Sequence, residues 1–218
     1  MLCALTAEEV LFVSLGGYCE PAMQLRNHTL RTEAFPFDWM LTLNHEKFLL
    51  LLDNDFQFFL DENYLFQHPK DSSTLENSYY ECEFTHHQSS NPAEGVAFHL
   101  QEITPKYERR IERFRKLREY KAKVIFIRSA YFFSTGEHYY WWNPDQAYIT
   151  NEQAVTLKKA LDRFFPLLDF KLVIVNYTEK KMEHFDIADG VIEFQIRKKH
   201  ETLEYARLLD FIRLFITQ

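Results

Sequence analysis

Apolar residues along the chain fall into two kinds of run. Short, nearly unbroken ones occur at Val10–Leu15 (VLFVSL), Lys123–Ile127 (KVIFI), Lys171–Asn176 (KLVIVN) and Val191–Ile196 (VIEFQI). Runs of strand length without polar alternation predict strands buried on both faces. The other kind repeats at helical spacing. Ala154, Leu157, Leu161, Phe164 and Leu168 recur at intervals of three and four, and Thr150 with Gln153 three residues later forms a capping box ahead of them. Tyr107, Ile111, Phe114 and Leu117 mark a helix after Pro105, Asn44 to Leu52 a second, and Leu203, Ala206, Leu209, Ile212 and Ile216 a last one. Strands alternating with amphipathic helices predict a three-layer α/β domain, a mostly parallel sheet flanked by helices.

The first strand stops at Gly16-Gly17, and Cys19-Glu20-Pro21 opens a helical segment, since proline is tolerated in a first turn where its missing N–H has no partner. Arg31 to Trp39 reads as extended, because Pro36 disfavours helix at Phe35. Between Asp53 and Gly95 the pattern fades into acidic, aromatic and Ser/Asn-rich pieces such as KDSSTLENS, with a short strand expected within Tyr79 to Thr85. This stretch reads as an irregular insertion after the second helix, inside one domain covering residues 1–218.

Composition narrows the function classes. The 218 residues are 46% hydrophobic and 26% charged, so a packed core is expected. The formal charge of −7 excludes an obvious binder of nucleic acid. No stretch reaches about 18 apolar residues, so no membrane span is expected. Glu8 and Glu9 interrupt an opening segment without a basic leader, and the cysteine number is odd; both suit a reducing, cytoplasmic location. Oligomeric state is left open.

If the first strand is parallel to its neighbours, the Gly16-Gly17-Tyr18-Cys19 turn falls at the carboxyl edge of the sheet, where α/β proteins bind ligands. A thiol at a helix N-terminus is favoured as thiolate by the dipole and by first-turn N–H groups, which also suit an oxyanion. Glu20 works against that, and on spacing alone a cysteine is more often a small buried hydrophobe. Gly16 and Gly17 allow close backbone approach to a substrate. Arg128, just past the strand VIFI, would emerge near the same edge and hold a carboxylate or phosphate, or pair internally with an acid such as Asp38. In EHYYWWNPD, Trp141 and Trp142 suggest an aromatic lid over the turn. The arginines between Arg109 and Arg118 read as a solvated helix face. Cys82, His86, His87 and His99 fall short of zinc spacing, so neither metal nor cofactor is expected.

The segments VSLGGYCEPAMQLR (Val13 to Arg26), FPFDWM (Phe35 to Met40), YERRIERF (Tyr107 to Phe114), VIFIR (Val124 to Arg128) and VIVNYT (Val173 to Thr178), in this order, resemble a bacterial domain family of unknown function described as papain-like cysteine peptidases. The resemblance implies Cys19 as nucleophile and places the family's aspartate on Asp38. The family's histidine, commonly followed by Asp-Phe, falls on His86, with His87 standing where the aspartate would be. His99 is the alternative base. A Cys19 thiolate with His86 would attack an acyl carbon and pass through a thioester. Asp38 or Asn176 would orient the imidazole, Asn176 matching the Cys, His, Asn order of papain-like enzymes.

The expected activity is therefore cysteine hydrolysis of a peptide or of a small acyl or glycosyl substrate. Two rivals remain at this stage: a non-hydrolytic α/β domain binding a sugar nucleotide or other phosphorylated ligand, and a protein-interaction module using exposed aromatics.

Overall fold

Strands without a polar face must be covered on both sides, and the alternation of side chains along each one decides what covers which. The computed structural model describes residues 10–130, 148–197 and 201–216. In chain order its main elements are β1 (Leu11–Ser14), α1 (Glu20–Asn27), α2 (His45–Asp53), β2 (Leu65–His68), β3 (Asp71–Asn77), β4 (Cys82–Glu83), α3 (Gly95–Lys116), β5 (Val124–Ser129), α4 (Asn151–Phe164), β6 (Phe170–Thr178), β7 (Glu183–Ala188), β8 (Val191–Arg197) and α5 (Glu201–Phe211). The large sheet has the order β1-β5-β6-β8-β7; the first four strands are parallel and β7 is an antiparallel edge. Val124, Phe126, Leu172 and Ile174 face the layer of α2, α3 and α4. Ile125, Ile127, Val173 and Val175 face Leu25 of α1 and Tyr205, Leu208 and Leu209 of α5. The expected mixed α/β architecture, helices flanking a mostly parallel sheet, is what forms.

Local chemistry explains the helix ends. The Thr150 side chain accepts from the Gln153 N–H while the Gln153 side chain accepts from the Thr150 N–H, completing the capping box of α4. Asn44 caps α2 by accepting from the Lys47 N–H. α3 begins about ten residues before its expected start and runs through Pro105. The ring costs that helix one backbone hydrogen bond, offset by Ile103, Tyr107, Ile111 and Phe114 on one buried face. The expected last helix buries Leu209 and Ile212, but the first turn of α5 departs from that face. Leu203 is 55% exposed, while Glu204 points inward and binds the Arg197 N–H and guanidinium at 2.5 and 2.7 Å. That ion pair and Tyr205 set the rotation of the helix.

Within the insertion, β2, β3 and β4 form a small antiparallel sheet; β4 falls where a short strand is expected, within Tyr79 to Thr85, whereas β2 and β3 carry no sequence signal. This sheet is joined to the body by a bridge between Leu41 and Glu83, whose N–H and carbonyl groups exchange bonds of 2.9 Å in both directions.

Candidate functional site at the carboxyl edge of the sheet

The turn after β1 is held from both sides. Gly16 and Gly17 have φ of +71° and +92°, and a Cβ on Gly17 would stand 1.9 Å from the Ser129 carbonyl oxygen. No other residue type fits there. The Gly16 N–H donates to Ser14 Oγ at 3.1 Å and the Gly17 N–H to Thr42 Oγ1 at 3.3 Å. Their carbonyls accept from Ser129 and Thr42 at 3.0 Å. The two glycines thus shape the turn with their own N–H groups already engaged.

Cys19 then takes the N-cap position of α1. Its carbonyl accepts the Met23 N–H at 3.0 Å, and its side chain makes no capping bond. The residue is half-buried, packing with Tyr177 against a small cluster of Tyr18, Leu41 and Leu43. Cys82 contrasts with it: fully buried, its thiol is pushed up above the ordinary range by burial and by Glu76 and Glu83.

Beside Cys19 lies a polar layer assembled from distant parts of the chain. The Tyr18 and Tyr177 hydroxyls are 2.5 Å apart, and both reach Oε1 of Glu201, at 2.8 and 2.6 Å. Beneath them Gln24 Nε2 donates to Glu20 Oε1 at 2.7 Å. Tyr205, 1% exposed, stands next to Glu20, Tyr177 and Ser129. Burial first, then neighbouring tyrosines and carboxylates, pushes the Tyr18, Tyr177 and Tyr205 hydroxyls far up, so all three stay neutral. Sequence reasoning did not find this layer. Its members are 159 and 183 positions from Tyr18, and only the placement of β6 and α5 at one sheet edge brings them together.

The other expected residues are distributed as follows. Arg128 does sit at the strand end, but its guanidinium faces inward. It donates to the Leu15 carbonyl at 2.8 Å and to the Thr42 hydroxyl and carbonyl, and lies 3.8 Å from the centre of the Phe48 ring. Burial lowers its pKa to about 9. Asn176 is also buried. Its Oδ1 accepts from the Ile149 N–H and its Nδ2 donates to the Ile149 carbonyl and to Glu193, all at 2.9 Å. Both halves of that amide are committed to holding the chain ahead of α4. Trp141 and Trp142 lie outside the described residues.

His86, exposed, has its ring 5.6 Å from that of Trp39, edge to face. The guanidiniums of Arg26 and Arg31 lie 5.4 and 5.6 Å from the same indole. Arg26 is in the last turn of α1. Asp38 is beside it, bonded to Arg31 at 2.7 Å and accepting from the Phe35 N–H. Burial pushes its carboxyl up against the pull of Arg31. His87 Nε2 faces Arg110 at 3.0 Å, and burial together with that cation brings its pKa to about 3. His99 is sealed in the core against the His87 carbonyl.

Among the described residues, His68, Glu76 and Glu83 place ligand atoms within 4.8 Å of one another in the small sheet. His68 Nδ1 accepts from the N–H groups of Lys70 and Asp71 at 3.1 Å, which puts the ring proton on Nε2, 3.5 Å from Glu76. A metal-bound imidazole carries its proton on the opposite nitrogen from the metal. This trio is arranged to hold a proton rather than an ion.

Cys19 thus stands at the first turn of the first helix, on the carboxyl edge of a mostly parallel α/β sheet covered on both faces. The chain belongs to the family described as Putative papain-like cysteine peptidase, whose model matches residues 10–180. No curated protein and no solved structure matches it.

Proposed function

We propose that the protein is a cysteine hydrolase in which Cys19 attacks an acyl carbon, forms a thioester and yields it to water. The observation that carries this reading is the place of Cys19: half-buried, at the N-cap of α1, on the carboxyl edge of parallel strands, in a family described by cysteine peptidase chemistry. First-turn N–H groups of α1 support the developing oxyanion. Tyr18, Tyr177, Glu20 and Glu201 make the surroundings rich in hydrogen-bond acceptors, which suits a peptide or a small acyl or glycosyl substrate carrying N–H or O–H donors. A phosphate-binding reading draws less support, because the glycine N–H groups and the Arg128 guanidinium are engaged inside the protein.

The test uses an activated ester. With p-nitrophenyl acetate the full chain is expected to release a burst of nitrophenol equal to the protein present, with the acetyl group recovered on Cys19 by peptide mass spectrometry. Cys19→Ala should abolish the burst. Acetylation spread over surface lysines, unchanged in Cys19→Ala, would overturn the reading.

A further inference from the structure

We propose that the buried carboxyl pair of Glu76 and Glu83 is a proton-operated latch on the turn that leads to Cys19. With a proton on the pair, the small sheet and its bridge to Leu41 stay closed. When that proton leaves for solvent, β4 gives way and the turn loosens. The latch stands apart from the hydrolase reading, because it governs the geometry of the turn whatever chemistry Cys19 performs.

Three observations support the latch. The first is the pairing itself. Glu76 of β3 and Glu83 of β4 are directly opposed across the strands, and both are buried. Two carboxylates so placed repel each other and lose hydration, so the closed sheet favours one proton on the pair. His68 of β2 brings its Nε2–H to 3.5 Å from Glu76. That draws the negative charge to Glu76 and leaves the proton to Glu83. The second observation is what surrounds Glu83. Among the described residues the titratable groups acting on it are Glu76 and Asp71 of β3, with the Cys82 thiol beside it on β4. Lys47 of α2 pairs with Glu81 instead, at 3.8 Å. On α3, which packs against the same sheet, His99 is held by the His87 carbonyl and Glu102 by Ser89 and Ser90. No lysine or arginine among the described residues takes the place of the proton. The third observation is how little must give way. β4 is two residues long, and its register with β3 consists of Glu76 opposite Glu83 and Asn77 opposite Cys82. Beyond β4, Leu41 exchanges both backbone bonds with Glu83, and the next residue, Thr42, donates its N–H to the Gly17 carbonyl at 3.0 Å and accepts the Gly17 N–H at 3.3 Å. A shift of β4 thus reaches the turn through hydrogen bonds between adjacent residues.

The test needs no knowledge of the substrate. Backbone hydrogen exchange in the full chain is followed by NMR from pH 5 to 8.5, with each rate divided by the intrinsic rate at that pH. Between pH 5.5 and 7 the protection of the Leu41, Glu83, Thr42 and Gly17 amides is expected to fall together by about tenfold and then to level off. At every pH it should stay below that of Ile125 and Val173 in the middle of the large sheet, which marks the event as a local opening. In Glu83→Gln the four amides should keep the same protection across the range. If that variant does not fold, Glu76→Gln, which removes the opposing charge, should flatten the same fall, and the parent curves alone still decide. Protection at Gly17 that holds steady while Leu41 and Glu83 lose theirs overturns the latch, because the pair then titrates without acting on the turn. So does a fall that persists unchanged in Glu83→Gln, or four amides that exchange only together with Ile125 and Val173. The nitrophenol burst reads the hydrolase separately, so either proposal can fail while the other stands.

Discussion

The carboxyl edge of the large sheet and the small sheet of the insertion both bury carboxyl groups, by opposite means. At the edge, Glu201 accepts from two tyrosines, and Glu193 accepts from Tyr148, Asn176 and Gln195 at 2.6 to 3.0 Å. These carboxyl groups are supplied with neutral donors. In the small sheet, Glu76 and Glu83 are direct cross-strand partners, 0% and 8% exposed, and burial together with Glu76 and Asp71 pushes the Glu83 carboxyl up to about 7. Like charges set opposite each other across a strand pair are unfavourable, so this pair is kept by holding a proton. Neutral donors satisfy a carboxyl group's oxygens without a second charge. A shared proton leaves a titrating group inside the fold.

The largest break in this contrast comes at the turn on which the edge depends. Gly17→Ala puts a Cβ 1.9 Å from the Ser129 oxygen at φ +92°. We expect a loss above about 4 kcal/mol, seen as failure to fold or a collapse of the denaturant midpoint. Asn176→Ala should cost about 3 kcal/mol by leaving the Ile149 N–H and the Glu193 carboxylate short of partners, with losses of similar size at pH 6 and pH 8 in urea titrations.

Glu83→Gln probes the other side and should do the reverse. The folded value near 7 lies above the ordinary 4.5 of the free group. Glu83 therefore binds its proton more tightly when folded, and its stabilising contribution is full below about 4.5 and lost as pH rises through 7. The parent should weaken over that window by an amount on the order of 3 kcal/mol. Glu83→Gln should be more stable than the parent at pH 8 and equal to it near pH 4. A variant difference independent of pH would mean that no proton is held there. His86→Ala gives the smallest effect, about 0.5 kcal/mol from one exposed aromatic edge contact.

What the sequence disclosed follows the same division. The buried strands, the capping box at Thr150 and the turn at Gly16-Gly17 are written in neighbouring residues, and each forms where the pattern places it. Of the small sheet β4 is legible within Tyr79 to Thr85, while β2 and β3 are not, because β3 carries Asp71, Ser72, Ser73 and Glu76, residues that read as loop until they pair. β7 is missed for a related reason: nearly all of it is exposed, so it has no apolar face to show. The start of α3 is hidden by Pro105, a breaker that the packing of its buried face overrides. At the site, motif spacing singles out Cys19 but says nothing of Tyr177 or Glu201, which strand order brings to the neighbouring Tyr18. Arg128 and Asn176 are legible as polar groups at strand ends. Which way each side chain turns depends on acceptors elsewhere, the Leu15 and Thr42 carbonyls for one and the Ile149 backbone for the other.

The two-residue stretch Leu41-Thr42 touches both regions. On one side Leu41 is laced to Glu83; on the other Thr42 bonds both groups of Gly17 and takes the guanidinium of Arg128. It works as a splint with no slack: a displacement of the insertion large enough to move Glu83 is transmitted through three consecutive backbone attachments to the residue two places before the thiol. The insertion cannot loosen while the turn stays rigid, so proteolytic nicking near Glu83 should register first as altered chemistry at Cys19.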